Sequence, residues 1–234
     1  MERKISTKKY LLAFMLTLII FAGGILLGIM LENIRLSHSN QVIIAERINL
    51  RSLQLQQKYI ESGQADCKAL NKVLEADIDE LNKKMAEVIE YERKSFFNQG
   101  DFNLLLQDYF LTEIQFLQVS REIDKKCPRN NIKIIYFYDE NKEETQGIIL
   151  DYLKKLFGSR LLIFSLDSTF RQEPMINILL TSYKIEKFPT TVIENKVLQG
   201  HKSVEELKEI ICAEFADMDA ELPGECSLQS TERK

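Results

Sequence analysis

Apolar positions fall into three regimes along the chain. From Tyr10 to Leu31 they are continuous, 22 positions without a charged side chain. At about 1.5 Å per helical residue that is about 33 Å, against a bilayer core of about 30 Å, so the pattern predicts a transmembrane helix. Arg3, Lys4, Lys8 and Lys9 precede it, and only Arg35 follows within the next fifteen residues. That asymmetry predicts a single-pass protein of the cell membrane, with residues 1–9 cytoplasmic and everything from Glu32 extracytoplasmic. The stretch exceeds the apolar core of a cleaved signal peptide, and no small-x-small site closes it, which favours an uncleaved signal-anchor. Gly24 and Gly28 form a GxxxG pattern, a candidate for packing two transmembrane helices into a homodimer.

In the second regime, from Glu32 to Lys126, proline is absent and apolar residues recur at helical spacing among Leu, Glu, Lys and Gln. Residues 32–128 are expected to form a helical, coiled-coil stalk, a second route to a homodimer. Its first piece carries Ile44, Ile48 and Leu55 and stops at Ser62-Gly63. The next carries Leu74, Ile78, Leu81, Met85 and Val88, spaced 4, 3, 4, 3 as in a coiled coil. Asn98-Gln-Gly-Asp101 reads as a C-cap glycine followed by an aspartate N-cap. Phe102, Leu105, Leu106, Tyr109, Phe110, Phe116, Leu117 and Ile123 then make a third, more apolar helix. The economical arrangement is a hairpin whose aromatic stripe touches both the second helix and the domain that follows.

The third regime, residues 131–216, alternates strand-like and helix-like runs. Ile132–Tyr138 and Arg160–Leu166 are β-branched and aromatic runs of strand length. Ile148, Ile149, Tyr152, Leu153 and Leu156 recur between them at helical spacing, with Gly158 at a C-cap position. Pro174 opens a helix through Ile176, Leu179, Leu180 and Tyr183. Pro189–Ile193 and the segment to Gly200 read as a β-hairpin, and Ser203 with Glu206 reads as the capping box of a last helix. The expected fold class is therefore α/β, a βαβαββα domain behind an anchor and a stalk, with residues 217–234 as a flexible tail.

Tyr183-Lys-Ile-Glu-Lys-Phe188-Pro189-Thr190, inside that order of elements, resembles the thioredoxin family. In that family the proline is usually cis and faces a Cys-x-x-Cys motif at the start of the first domain helix. Here that place reads Tyr138-Asp-Glu-Asn-Lys-Glu-Glu-Thr145, with no cysteine. The resemblance implies that backbone beside the proline pairs with an extended segment of a partner, which makes Phe188, Pro189 and Thr190 the candidate partner-binding edge. The organisation also resembles, loosely, that of anchored thioredoxin-like proteins of uncultured archaea.

Charge and chemistry narrow the picture further. A formal charge of −4 and a pI near 5.5, with acidic and basic residues interleaved, leave no electrostatic footprint for nucleic acid. Phosphate-cradling loops and metal-ligand spacings are absent, and His38 and His201 are far apart, so no cofactor is expected. Cys67 and Cys127 are a candidate disulfide: they lie 33 and 27 residues from Gly100. Closing that loop is worth about 4 kcal/mol in the chain-entropy model, yet the mismatch is about 9 Å of helix rise. Both a staple and two free thiols stay open. Cys212 reads as a small buried hydrophobe, and Cys226 as a free thiol in the tail. Dithiol exchange needs a thiolate at a helix start and a second thiol to resolve it, and Asp139–Thr145 has neither. Glu143 and Glu144 there read as a cap favoured by the helix dipole. The expected function is a redox-inactive binding or assembly module, not an enzyme, for an envelope or secreted protein. The alternatives are a thiol–disulfide oxidoreductase using Cys127 and a purely structural coiled-coil tether.

Overall fold

The computed structural model describes residues 7–63, 65–93, 98–139, 145–218 and 222–227. The chain divides into two compact units, Met1–Lys58 and Tyr59–Lys234.

In the first unit the described structure is helical, within α1 (Thr7–Glu61). Large apolar side chains from Leu11 to Met30 are exposed. Among the described residues, no helix is long and apolar enough to cross a membrane. The side chains of Tyr10, Ala13 and Leu31 lie outside the described residues. On this finding the expected transmembrane helix over Tyr10–Leu31 is corrected, and with it the single-pass membrane location and the packing of Gly24 and Gly28 in lipid. A Cβ at either glycine would meet nothing within 4 Å.

The second unit begins with the end of α1, where Gly63 turns the chain at φ +74° and donates from its N–H to the Ile60 carbonyl at 3.2 Å. It continues through α2 (Cys67–Glu92), α3 (Gln99–Asp124), β1 (Ile132–Tyr138), α4 (Gln146–Phe157) and a 3-10 turn over Gly158–Arg160. Then come β2 (Leu161–Asp167), α5 (Pro174–Ser182), β3 (Thr190–Ile193), β4 (Lys196–Gln199), α6 (Val204–Ala216) and α7 (Gly224–Ser227). The protein is thus mostly helical around one small mixed sheet, which corrects the α/β class expected from the sequence. The sheet runs β2-β1-β3-β4, with β1 parallel to β2 and antiparallel to β3, and β3 antiparallel to β4.

Side-chain alternation along β1 divides the core in two. Ile135 and Phe137, with Leu162, Phe164, Leu166 and Val192, face Phe110, Ile114, Phe116 and Leu117 of α3 and Ile176 of α5. Leu74, Ile78 and Leu81, the coiled-coil stripe of α2, pack against this same cluster. Ile132, Ile134 and Tyr136 face the other way, onto Leu150, Leu153 and Phe157 of α4 and Leu207, Ile211 and Phe215 of α6. The hairpin of α2 and α3, read as part of a stalk, therefore belongs to the same compact unit as the sheet.

The hairpin register differs from the sequence reading. Asn98 is the N-cap, its Oδ1 accepting from the Gly100 N–H at 2.9 Å, so Gly100 and Asp101 lie inside the first turn of α3. α2 and α3 are then equally long, 26 residues each, and the first residue of α2 stands level with the end of α3. Beyond α3 the Cys127 N–H returns to the Ile123 carbonyl at 2.9 Å. Cys67 and Cys127 are bonded, with 5.6 Å between Cα atoms, in a small cluster with Ile60, Leu70, Val119 and Ile123. Cys226 is not free, nor is Cys212 an unbonded hydrophobe: the two form a second disulfide. Pro223 is buried and its carbonyl accepts from the Cys226 N–H at 2.9 Å, a turn that folds α7 back onto α6.

Non-reducing peptide mapping is expected to recover Cys67–Cys127 and Cys212–Cys226 peptides. Replacing both members of the first pair by Ser should lower unfolding free energy by about 2–4 kcal/mol, more than for the second pair, because its loop is longer. Free thiols in the mapping, or equal losses for the two pairs, would count against this arrangement.

Candidate functional site

Two places in the second unit present polar groups that its own fold leaves open. One is the turn that leads into β3. Tyr183 caps α5, Lys184 adopts φ +53°, and the Ile185 N–H returns to the Leu180 carbonyl at 2.9 Å. Gln199 of β4 then clamps the turn: its Oε1 accepts from the N–H groups of Glu186 and Lys187 at 3.1 and 3.0 Å, and its Nε2 donates to the Lys184 carbonyl at 3.3 Å. The Gly200 N–H donates to the Pro189 carbonyl at 2.8 Å, and the Phe188–Pro189 peptide is cis.

Of the three residues expected at this edge, Phe188 and Pro189 are half-buried, with the Phe188 ring against the α3 side of the core. Thr190 is buried, and its hydroxyl donates to the Lys187 carbonyl, so its side chain serves the turn itself. The Phe188 backbone makes no hydrogen bond among the described residues. Residues 140–144, including Glu143 and Glu144, lie outside the described residues, as does the His38 side chain. Thr145 Oγ1 stands 3.0 Å from His201 Nε2. Among the described residues no group of His, Cys, Asp and Glu could hold a metal ion.

The other place is a cavity of about 380 Å³ beside the edge strand β2, walled by Ile78, Leu81 and Met85 of α2, Tyr109, Glu113 and Phe116 of α3, and Leu150 and Lys154 of α4. Backbone groups of Leu161 and Ser165 share the edge of β2 that faces away from β1, and side chains cover both. Lys154 Nζ donates to the Leu161 carbonyl at 2.6 Å, and the Ser165 N–H donates to Glu113 Oε1 at 3.2 Å. Tyr109 Oη donates to the same oxygen at 2.8 Å, while Oε2 has no partner.

Glu113 is 2% exposed. Burial pushes its carboxyl up to about 8, against the opposing pull of the hydrogen bonds from Tyr109 and Ser165. Burial also raises the Tyr109 hydroxyl, with the Glu113 charge adding to the effect, and it lowers the Lys154 ammonium. On α2, burial brings Asp77 to about 6, and its Oδ2 is unpartnered. From the sequence Tyr109 was read only as part of the apolar stripe of the third helix, and Glu113, Lys154 and Asp77 were not singled out. A signal existed for Glu113: it falls four residues after Tyr109 and three before Phe116, a carboxylate on the apolar stripe of a helix.

No family model matches the chain, and no curated protein matches it. Among solved structures, one described as "Structure of a malarial protein" aligns with 39% of this chain and all of its own length, at 16% identity and a TM-score of 0.31. A likeness of that size carries no argument about fold.

Glu113 makes stability depend on pH with a definite sign. Between its ordinary value of 4.5 and about 8, the unfolded chain has lost this proton and the folded chain keeps it. The unfolded state then binds fewer protons, so stability falls as pH rises through that window, by up to about 1.4 kcal/mol per pH unit. Glu113→Gln removes the dependence while keeping an acceptor for Tyr109 and Ser165. Denaturant unfolding at pH 5, 6.5 and 8 should therefore show the variant gaining on the wild type as pH rises, with the Asp77 contribution common to both. Parallel curves would mean that Glu113 is ionised in the folded protein.

Proposed function

We propose that residues 131–216 form a redox-inactive, thioredoxin-like binding or assembly module that captures an extended segment of another protein beside Phe188. The observation that carries this reading is the unpaired Phe188 backbone, held on a turn that Gln199 and Gly200 fix from the β4 side. An extended chain gains affinity from main-chain hydrogen bonds at such an edge and selectivity from neighbouring side-chain pockets. The strand order β2-β1-β3-β4 and its mixed directions support the family likeness. Redox inactivity is supported by the cysteines: all four are in disulfides, Cys127 among them, leaving no thiolate to begin an exchange. Two disulfides also suit an oxidising setting, where an envelope or secreted partner would be met.

A displayed library of unstructured peptides, selected on the purified chain, tests the reading. Selected peptides should crosslink to a photoreactive residue placed at Phe188 and not to one at the exposed Ile178 of α5. N-methylation of a single backbone nitrogen in the contacting stretch should weaken them about tenfold, the cost of one main-chain hydrogen bond left unmade. Crosslinking at Ile178 alone, or affinity indifferent to N-methylation, would sink the strand-addition mode.

A further inference from the structure

The cavity beside β2 is separate from the Phe188 turn, and its chemistry points to a different kind of ligand. At about 380 Å³ it falls within the range of small-molecule sites, which are mostly apolar with a few placed polar groups. Its walls follow that rule: Ile78, Leu81, Met85, Phe116, Leu150 and Ile163 supply apolar surface. Among the polar groups on the lining, the Glu113 carboxyl is buried, tethered through Oε1 by Tyr109 and Ser165, and unpartnered at Oε2. A buried polar oxygen without a partner is costly, so a ligand that bonded to it would bind selectively.

We propose that this cavity binds a neutral, mostly apolar small molecule bearing one oxygen acceptor, of the aromatic ketone or ester class, with Glu113 Oε2–H as its donor. Lys154 and Asp151 on the same lining are of opposite sign and each already has a partner, the Leu161 carbonyl and Lys155, so the lining offers an ionic ligand no unpaired counter-charge of theirs. The titratable groups that share the lining with Glu113 are Tyr109 of α3, Tyr136 of β1, and Asp151 and Lys154 of α4, with Tyr138 of β1 acting on Tyr109, while α2 adds Asn82 and apolar side chains. Burial keeps the Glu113 proton in place below about pH 8, so the donor is present at neutral pH and lost above it.

Fluorescence titration of the full chain with prodan, a neutral naphthyl ketone, tests this proposal. At pH 6 the wild type should bind it saturably, with a blue-shifted emission, and weaken about tenfold by pH 9. Glu113→Leu should weaken binding about tenfold at pH 6. Glu113→Gln, which retains an N–H donor at the same place, should stay within about twofold and lose the pH dependence. Asn82→Trp, at an exposed lining position, should block entry. Dye held elsewhere on the chain is common to all variants and cancels. An aminonaphthalene without the ketone should be indifferent to Glu113→Leu. The proposal is overturned if no saturable binding occurs, if Glu113→Leu and Asn82→Trp both leave ketone binding unchanged, or if the ketone-free analogue shows the same sensitivity. Should Glu113→Leu fail to fold, the pH profiles of wild type and Glu113→Gln decide the matter. None of these outcomes bears on peptide capture at Phe188.

Discussion

The packing of α3 across the sheet is the constraint on which the second unit depends. Phe110, Glu113, Ile114, Phe116, Leu117, Val119, Ser120 and Ile123 are all buried, a face broader than a single amphipathic stripe. Such breadth is required because the helix has more than one neighbour to satisfy. It covers Ile135, Phe137 and Phe164 on the sheet, receives Leu74, Ile78 and Leu81 of α2, and closes with Ile60 and Leu70 around the Cys67–Cys127 bond. Polar contacts set its position along the sheet. Gln107 Nε2 donates to the Gln172 carbonyl at 3.0 Å in the first half of the helix, and Arg121 donates to Tyr183 Oη at 2.6 Å in its last turn. An apolar face alone could slide by a turn; these directional bonds select one register.

Glu113 follows from the same geometry. Where α3 passes the outer edge of β2, an unpaired strand N–H needs covering, and an apolar side chain cannot accept its hydrogen bond. A carboxyl reaching from the helix to the Ser165 N–H meets that need, while Lys154 does the same for the Leu161 carbonyl from α4. The consequence is a titratable group within a mostly apolar wall, held neutral by burial rather than by a partner charge. The cavity and the raised carboxyl thus have one cause, a sheet edge capped by side chains instead of by another strand.

Elements whose signals are local were visible in the sequence. Pro174 at the start of α5 and the Ser203–Glu206 box at the start of α6 lie where their chemistry dictates. Ambiguity entered where two local signals competed. Gly100 suggested a helix stop, but Asn98 offers its side chain to the Gly100 N–H, and the cap prevails over the glycine. Long-range facts were hidden. Nothing near Cys226 announces Cys212 as its partner, since the pairing depends on the Pro223 turn bringing α7 against α6. Long apolar runs were misleading in another way: 22 uncharged positions suggested a membrane span, whereas no helix among the described residues meets the length and hydropathy that one needs. At the candidate sites, Phe188 was expected from a resemblance alone, while Glu113 required knowing which strand edge α3 crosses.

Lys133 shows how charge completes what apolar packing begins. Alternation places it on the same face of β1 as Ile135 and Phe137, where a lysine would otherwise leave an uncompensated charge in the core. Burial lowers its ammonium, and Asp124, at the end of α3, pulls it back by ion pairing. Arg129 bridges outward, 3.7 Å from Asp124 and 3.4 Å from Glu194, and Glu194 accepts from the Lys133 N–H at 2.8 Å. Replacing a whole buried ion pair by apolar residues is often neutral for stability, whereas removing one partner leaves the other charge buried and uncompensated. Here Lys133 ties the end of α3, the start of β1 and the turn after β3 to one point. β3 is only four residues long, fixed at this end by Glu194 and at the other by the clamp of Gln199 and Gly200 around Pro189. A strand so short, held at both ends, has little freedom to shift. The Phe188 backbone therefore stays at a defined place, which a site recognising an extended chain requires.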